Sequence, residues 1–295
     1  MLDFRGDQAS GLRRLFGGRR QRVVTFTAAG DGVGKTQLVA NLAAAIAAQG
    51  RSVLVVDENA GHDDVVAAFG ARATLDLLDT IQGRRALDDV LVGVDPGVRV
   101  LPAARAVTAL GHLTAVQQDA LLGAVGGLSA PPDVILVDAA HDHPLGFSPF
   151  GLAAPETVLV LSASGASITA TYSLIKQVAQ RYGRRQFRVL INKARGYDEA
   201  EQVYANLAHV AAQREVASIS LAGCVPSDDN IRAAARLMRP VVAAFPDAPG
   251  AVAIRTLAAD LQAWPQQDEP DGLEQVMRQL LHLSSRITPR AAKAR

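Results

Sequence analysis

Val23-Val24-Thr25-Phe26-Thr27-Ala28-Ala29-Gly30-Asp31-Gly32-Val33-Gly34-Lys35-Thr36 is the stretch on which the fold turns. Its first five residues are β-branched or aromatic and read as a strand, and the Ala- and Leu-rich run Gln37 to Gln49 after it reads as a helix. Between them, Ala29 to Thr36 matches the phosphate-loop pattern GxxxxGK[ST], with Ala29 in place of the first glycine. Phosphate chemistry demands these residue types. Glycines let successive backbone N–H groups turn inward around anionic oxygens, and the helix N-terminus adds positive potential. Lys35 reaches the terminal phosphates and the Thr36 hydroxyl can ligate Mg²⁺. Gly30, Asp31, Gly32, Val33, Gly34, Lys35, Thr36 and Gln37 are therefore the candidate phosphate-binding set. A glycine-rich turn with an accidental Gly-Lys-Thr is the alternative, and the strand before and helix after it weigh against that.

The same alternation continues outward. Further strands are expected at Ser52 to Asp57, Val98 to Leu101, Asp133 to Asp138, Thr157 to Leu161, Phe187 to Ile191 and Ile219 to Val225. Helical patterns fill the gaps at Leu75 to Ile81, Val116 to Leu128, Ser167 to Tyr182, Ala200 to Ala212 and Ala251 to Trp264. Near-continuous apolar strands are those of a parallel sheet covered on both faces, so the expected fold is α/β, a doubly wound, mostly parallel sheet of about seven strands. Its ligand chemistry belongs at the carboxyl ends of the strands. Two such ends carry a carboxylate, Asp57 and Asp138, either of which can hold the magnesium or its water. With Thr36 they form the candidate metal set, although a strand-end Asp can also merely cap a loop.

The 295 residues are 49% hydrophobic and 20% charged, which excludes a disordered chain. One cysteine, Cys224, excludes an internal disulfide, fits a reducing cytoplasm and is expected inside a strand. His141-x-His143 is weak as a metal motif because no further ligand accompanies it. No apolar run reaches the length of a membrane span, and the start lacks the apolar core of an export signal. The net charge of +1 is uneven. Residues 1–22 hold six Arg against two Asp and residues 282–295 hold three Arg and one Lys, so an acidic body of −7 lies between two ends of +4 each. The expected division is a basic arm over 1–22, a nucleotide-binding domain over 23–264, a polar linker over 265–270, and an amphipathic helix with a basic tail over 271–295. In that helix Leu273, Val276, Met277, Leu280, Leu281 and Ile287 form one apolar stripe beside Arg278, His282 and Arg286. The composition suits an anionic membrane interface, and packing on the protein's own core is the alternative.

The phosphate loop followed by Val56-Asp57-Glu58-Asn59 and Val137-Asp138 resembles the MinD/ParA class of P-loop ATPases over nearly the whole chain. Within it, Asp7-Gln8-Ala9-Ser10-Gly11-Leu12-Arg13 is similar to the N-terminal motif of FlhG/FleN-type regulators of flagellar number, and Ser167 to Lys176 is similar to a helix of the same group. The resemblance implies ATP or ADP with Mg²⁺ as cofactors and an arm in which Asp7, Gln8, Ala9, Leu12 and Arg13 meet an FlhF-type GTPase. It also implies an ATP-dependent homodimer, reversible attachment of a cytoplasmic protein to the inner membrane surface, and flagellar switch or C-ring proteins as further partners. Asn192 and Lys193, with Pro226 to Asp228, fall where such proteins hold adenine, which makes Asn192, Lys193, Pro226 and Asp228 candidate base contacts.

Three positions depart from the class. Gly30 stands where its signature lysine reaches a partner's phosphates, Asn59 where a second Asp positions the attacking water, and Asp142 where a switch glycine is usual. An amide cannot act as a carboxylate base. Lys35, Asp57, Asn59 and Asp138 are the candidate catalytic residues, and the expected ATPase is slow. The competing readings are a nucleotide-binding scaffold without turnover and a partition-type ATPase on DNA, the latter disfavoured by the acidic body.

Overall fold

The computed structural model describes residues 21–59, 61, 64–141, 143, 147–265 and 272–287. The arm motif at Asp7 to Arg13 and the switch position Asp142 lie outside the described residues.

Among the described residues eight strands form one sheet in the order β3-β4-β2-β5-β1-β6-β7-β8: β1 Arg22–Thr27, β2 Val53–Asp57, β3 Val92–Asp95, β4 Val98–Pro102, β5 Val134–Asp138, β6 Glu156–Ser162, β7 Gln186–Ala194 and β8 Ser218–Pro226. All neighbours run parallel except β3, which pairs antiparallel with β4. The seven expected strands are present and β3 is the addition. Its Val-Gly-Val-Asp alternates between half-buried and exposed residues, as an edge strand does, and so lacks the continuous apolar run that marks the others. The turn Pro96-Gly97 closes the hairpin, Gly97 taking a φ of 80° that other residues rarely adopt. β1 begins at Arg22, whose guanidinium donates to the Trp264 carbonyl, so this residue belongs to the body and not to the arm.

Helices cover both faces. On one, α1 (Lys35–Ala47) packs beside the later α12 (Pro249–Ala263), with Leu38, Leu42, Ile254 and Leu257 against Val24, Phe26, Val55 and Leu136. Opposite them, one half is covered by α3 (Leu77–Ile81), α5 (Ala104–Ala109), α6 (Ala115–Gly126) and α7 (Pro149–Ala153). The other half is covered by α8 (Gly165–Tyr182) and α9 (Tyr197–Gln213). Local sequence sets several of these boundaries. Thr114 and Gln117 form a reciprocal capping box that starts α6, and Gly183 in the left-handed region ends α8. Short helices α2 (Val65–Ala68), α4 (Leu87–Val90), α10 (Asp229–Arg236) and α11 (Val241–Ala244) complete the connections.

The C-terminal helix α13 (Leu273–Ile287) takes the second of the two places expected for it, the protein's own core. Leu273, Val276, Met277, Leu280 and Leu281 do not face outward toward a membrane: all are buried against α6, α7 and the 3-10 turn Leu110–His112. The side chain of Ile287 lies outside the described residues. The physical reason is that these five side chains complete the apolar cluster over that half of the sheet, beside Phe150 and Ala153 of α7, Leu121 and Val125 of α6 and Leu110 of the 3-10 turn. Five buried aliphatic side chains contribute roughly 8–15 kcal/mol of gross apolar burial, more than an exposed helix of this length gains from its own hydrogen bonds. Gln21 fixes the start of α13, accepting from the Leu273 N–H at 3.0 Å while donating to the Pro132 carbonyl.

Candidate nucleotide site

The strand register assembles the site. β2 and β5 are adjacent and parallel with Asp57 opposite Asp138, and on the other side of β5 Asp138 lies opposite Phe26 of β1. Two carboxylates thus end neighbouring strands side by side, on the face that α1 covers. β1 runs directly into the phosphate loop, where Gly32 and Gly34 take φ values of 73° and 83°. Gly34 is also the residue before α1 and offers no side chain to cap it, leaving the helix N-terminus to a ligand. A Cβ on Gly34 would stand 2.8 Å from the Asn192 amide nitrogen, so glycine is required there for both backbone and space.

Lys35, Thr36 and Asn59 converge on Asp138. The Lys35 ammonium bonds one carboxylate oxygen of the fully buried Asp138, and the Thr36 hydroxyl donates to the other at 2.7 Å. The Asn59 amide nitrogen donates to that second oxygen at 2.7 Å, to the Asp138 carbonyl at 3.0 Å and to Asp57 at 2.9 Å. Asp57 also accepts from the backbone N–H groups of Asn59 and Val65 at 3.0 and 2.7 Å. Despite these donors, burial and the neighbouring charge of Asp138 push the Asp57 carboxyl up to about 7. Two buried carboxylates that cannot comfortably ionise together, beside a threonine hydroxyl, are a donor set of hard oxygens suited to a divalent cation. The residues present therefore fit magnesium with a nucleotide: Thr36, Asp57 and Asp138 could hold the ion, and Lys35 could exchange Asp138 for a phosphate.

Asn59, expected to position water, has its donor already committed to both acids. It can orient a water through its carbonyl oxygen but cannot take its proton. Around Gly30 there is open space, and no lysine projects from it. Asp31 is exposed, with its carboxylate 3.4 Å from His141 Nε2, so what it offers a phosphate is its backbone N–H. Among the described residues no group of three or more His, Cys, Asp or Glu is placed as a metal cluster around His141 and His143.

The expected base contacts also come together. A cleft of about 190 Å³ is lined by Gln37, Asn192, Lys193, Pro226 and Asp228, with Ile231 and Ile254 at its apolar side. Asn192 donates to the Val33 carbonyl at 2.8 Å and Lys193 to the Gly32 carbonyl at 2.6 Å, which braces the phosphate loop from outside. Lys193 has a φ of 58°, a strained value for a side-chain-bearing residue that turns its stem back over the loop. The Asp228 carboxylate accepts from the Asn230 and Gly250 N–H groups, each at 2.8 Å, so it anchors α10 and α12 while only its outer surface lines the cleft. Cys224 is half-buried in β8, more open than its sequence suggested.

One residue beside the site escaped the sequence reading. Glu58 is 4% exposed, and burial pushes its carboxyl up to about 7. Strand alternation gives the signal in retrospect: next to Asp57, it faces the opposite side of the sheet, where an acid has no water.

Comparison with known proteins agrees with this geometry. Residues 24–241 match the model of the CobQ/CobB/MinD/ParA nucleotide binding domain. The chain is 34% identical over 251 residues to the antiactivator FleN of Pseudomonas aeruginosa, covering 85% of this chain and 90% of that one. It is 24% identical to the flagellum site-determining protein YlxH of Helicobacter pylori, covering 68% of this chain and 67% of the relative. Among solved structures, the septum site-determining protein MinD of Pyrococcus horikoshii, complexed with Mg-ADP, superposes with a TM-score of 0.61 at 22% identity, over 82% of this chain and 96% of the other. The glycine loop, the paired strand-end acids and the parallel sheet that aligns them are those of the CobQ/CobB/MinD/ParA nucleotide-binding family, to which this chain belongs as a FlhG/FleN-type member.

Proposed function

We propose that this chain is an ATP-binding, slowly hydrolysing regulator of flagellar number and placement, switched by nucleotide between a cytoplasmic form and one attached to the inner membrane surface. The observation that carries the nucleotide reading is the in-register pair Asp57 and Asp138 beneath Lys35 and Thr36. The flagellar reading is supported by the likeness to FleN and YlxH. Bound magnesium would neutralise phosphate charge; the chain's own residues do the rest. Backbone N–H groups of Gly30 to Gly34 turn toward the phosphates, Lys35 meets the terminal one, and the cleft at Asn192 and Pro226 takes the base. Asn59 orients water without deprotonating it, which sets the slow rate.

Residues 7–13 supply the contact to an FlhF-type GTPase, and α13 supplies the membrane contact once it leaves the body. Releasing α13 into water forfeits the apolar burial described above, whereas transferring it to a bilayer interface exchanges one apolar surface for another, so release and membrane binding are a single step. A nucleotide-dependent homodimer that presents two such helices gains avidity of about 10²–10⁴. Phosphate release by the purified chain, measured with Mg-ATP and with Lys35→Ala as control, tests the enzyme reading; tight ATP binding without release would replace it with a non-hydrolysing scaffold. The GTPase rate of an FlhF-type partner, measured with the full chain and with residues 1–20 removed, tests the arm. Equal rates would overturn that part.

A further inference from the structure

Asp57 and Glu58 follow one another at the end of β2 and serve opposite faces of the sheet. Asp57 faces the phosphate loop. Glu58 faces the first turn of α7, and its buried carboxylate is committed on both oxygens: one accepts from the Ala140 N–H at 2.9 Å and the other from the Ser148 hydroxyl at 2.6 Å. Ala140 lies two residues beyond Asp138, and the Glu58 N–H itself donates to the Asp138 carbonyl at 3.1 Å. Ser148 is the N-cap of α7, its hydroxyl accepting from the Gly151 N–H at 3.0 Å. One side chain thereby joins the ends of both acid-bearing strands to the first turn of α7.

The other end of α7 is fastened elsewhere. The half-buried guanidinium of Arg184, just before β7, donates to the carbonyls of Gly151, Ala154 and Pro155 at 2.8, 2.9 and 2.7 Å. Helix α7 is therefore held at its C-terminal end by a group remote from the phosphate loop, and at its N-terminal end by a group bonded into it. Phe150 and Ala153, between these two fastenings, belong to the cluster that holds Leu273, Met277 and Leu280 of α13.

From this arrangement we infer that Glu58 transmits the state of the phosphate site to the C-terminal helix, by moving the N-terminal end of α7 against its fixed C-terminal end. Nucleotide and cation entering between Asp57 and Asp138 must replace the bonds that Lys35, Thr36 and Asn59 now make to Asp138. Rearrangement of that strand end carries Ala140 and the Glu58 backbone with it, and the Glu58 carboxylate passes the shift to Ser148. Close-packed interfaces do not deform continuously, so a tilt of α7 changes how well α13 fits. Glu58 is a positioning residue in this scheme and touches no reacting atom. The inference rests on the nucleotide-driven release of α13 proposed above.

Hydrogen exchange of the α13 amides in the full chain, with and without Mg-ATP, tests it alongside a calorimetric titration of nucleotide. In the wild type, bound Mg-ATP is expected to speed α13 exchange by about tenfold or more, within the usual range of coupling between sites. Glu58→Ala is expected to bind nucleotide within about threefold of wild type while its α13 response falls below about twofold. Glu58→Gln keeps the shape, an acceptor for Ala140 and a donor for Ser148, and should respond as the wild type does. If Glu58→Ala also responds as the wild type does, the inference is overturned and the helix-release reading stands. If the wild-type helix ignores bound Mg-ATP, the release reading fails and the inference with it. Should Glu58→Ala not fold, Ser148→Ala cuts the same link at its other end; a full wild-type response there overturns the inference equally.

Discussion

Replacing Asn59 by Asp restores the acid that the class carries, and the structure says what that does before any nucleotide binds. The Asn59 amide nitrogen lies 2.9 Å from an Asp57 oxygen and 2.7 Å from an Asp138 oxygen. A carboxylate in its place would put a new negative charge against that of Asp138, since the Asp57 carboxyl, raised to about 7, already holds a proton below that pH. At an effective dielectric of 20, such a contact costs about 6 kcal/mol. A cheaper route exists, because holding a proton on an acid of unfolded pKa about 3.9 costs about 1.4 kcal/mol for each pH unit above it. That is about 4 kcal/mol at pH 7 and about 2 at pH 5.5, below even the single Coulomb contact with Asp138, so protonation wins. The folded pKa of the introduced acid is thus raised. The native state binds a proton that the unfolded chain has released, and stability relative to wild type falls as pH rises from about 4. Urea unfolding of Asn59→Asp and wild type in chelator, at pH 5.5 and 7, reads the difference directly. Millimolar magnesium should narrow the gap by taking the proton's place. An Asn59→Asp penalty below about 0.5 kcal/mol, or one equal at both pH values, would refute the convergence of these three side chains.

The remaining predictions concern stability and binding. Lys35→Ala strips the buried Asp138 of its cation; it should lower metal-free stability by about 3–5 kcal/mol in urea unfolding and abolish nucleotide binding in a calorimetric titration. Leu280→Ala opens a cavity under α13 and should cost about 2–5 kcal/mol, seen as a lower urea midpoint together with stronger binding to anionic vesicles; a helix resting outside the body would lose under about 0.5. In the metal-free wild type, the Asp57 and Glu58 carboxyls raised to about 7 hold protons that the unfolded chain has lost, so stability should decline as pH climbs from about 4.5 to 7. Glu58→Gln should remove Glu58's share of that slope, which thermal denaturation across this pH range measures.

How much of this was legible beforehand depends on the length scale of the physics. The phosphate loop was readable because every requirement it meets is local: glycines for the positive φ at Gly32 and Gly34, a helix start at Lys35, a strand before it. The alternation of apolar runs with helical stretches likewise gave the parallel sheet, since burial on both faces is written into each strand separately. The edge strand β3 was missed because Val92 and Val94 are only half-buried and alternate with the exposed Gly93 and Asp95, so its four residues carry no continuous apolar run.

The destination of α13 was not in its sequence at all. An amphipathic stripe records only that its six side chains must leave water, and a bilayer and a protein core satisfy that equally well. Tertiary structure decided it, because α6, α7 and the 3-10 turn Leu110–His112 offer five of these side chains an apolar cluster to complete. It also decided the role of Glu58. The sequence put an acid between Asp57 and Asn59, but only the packing of α7 against the far side of the sheet gave its carboxylate Ser148 and Ala140 to hold. Local chemistry thus specified where a phosphate would bind; non-local contacts, made between residues some 80 to 250 apart in the chain, specified what that site is connected to.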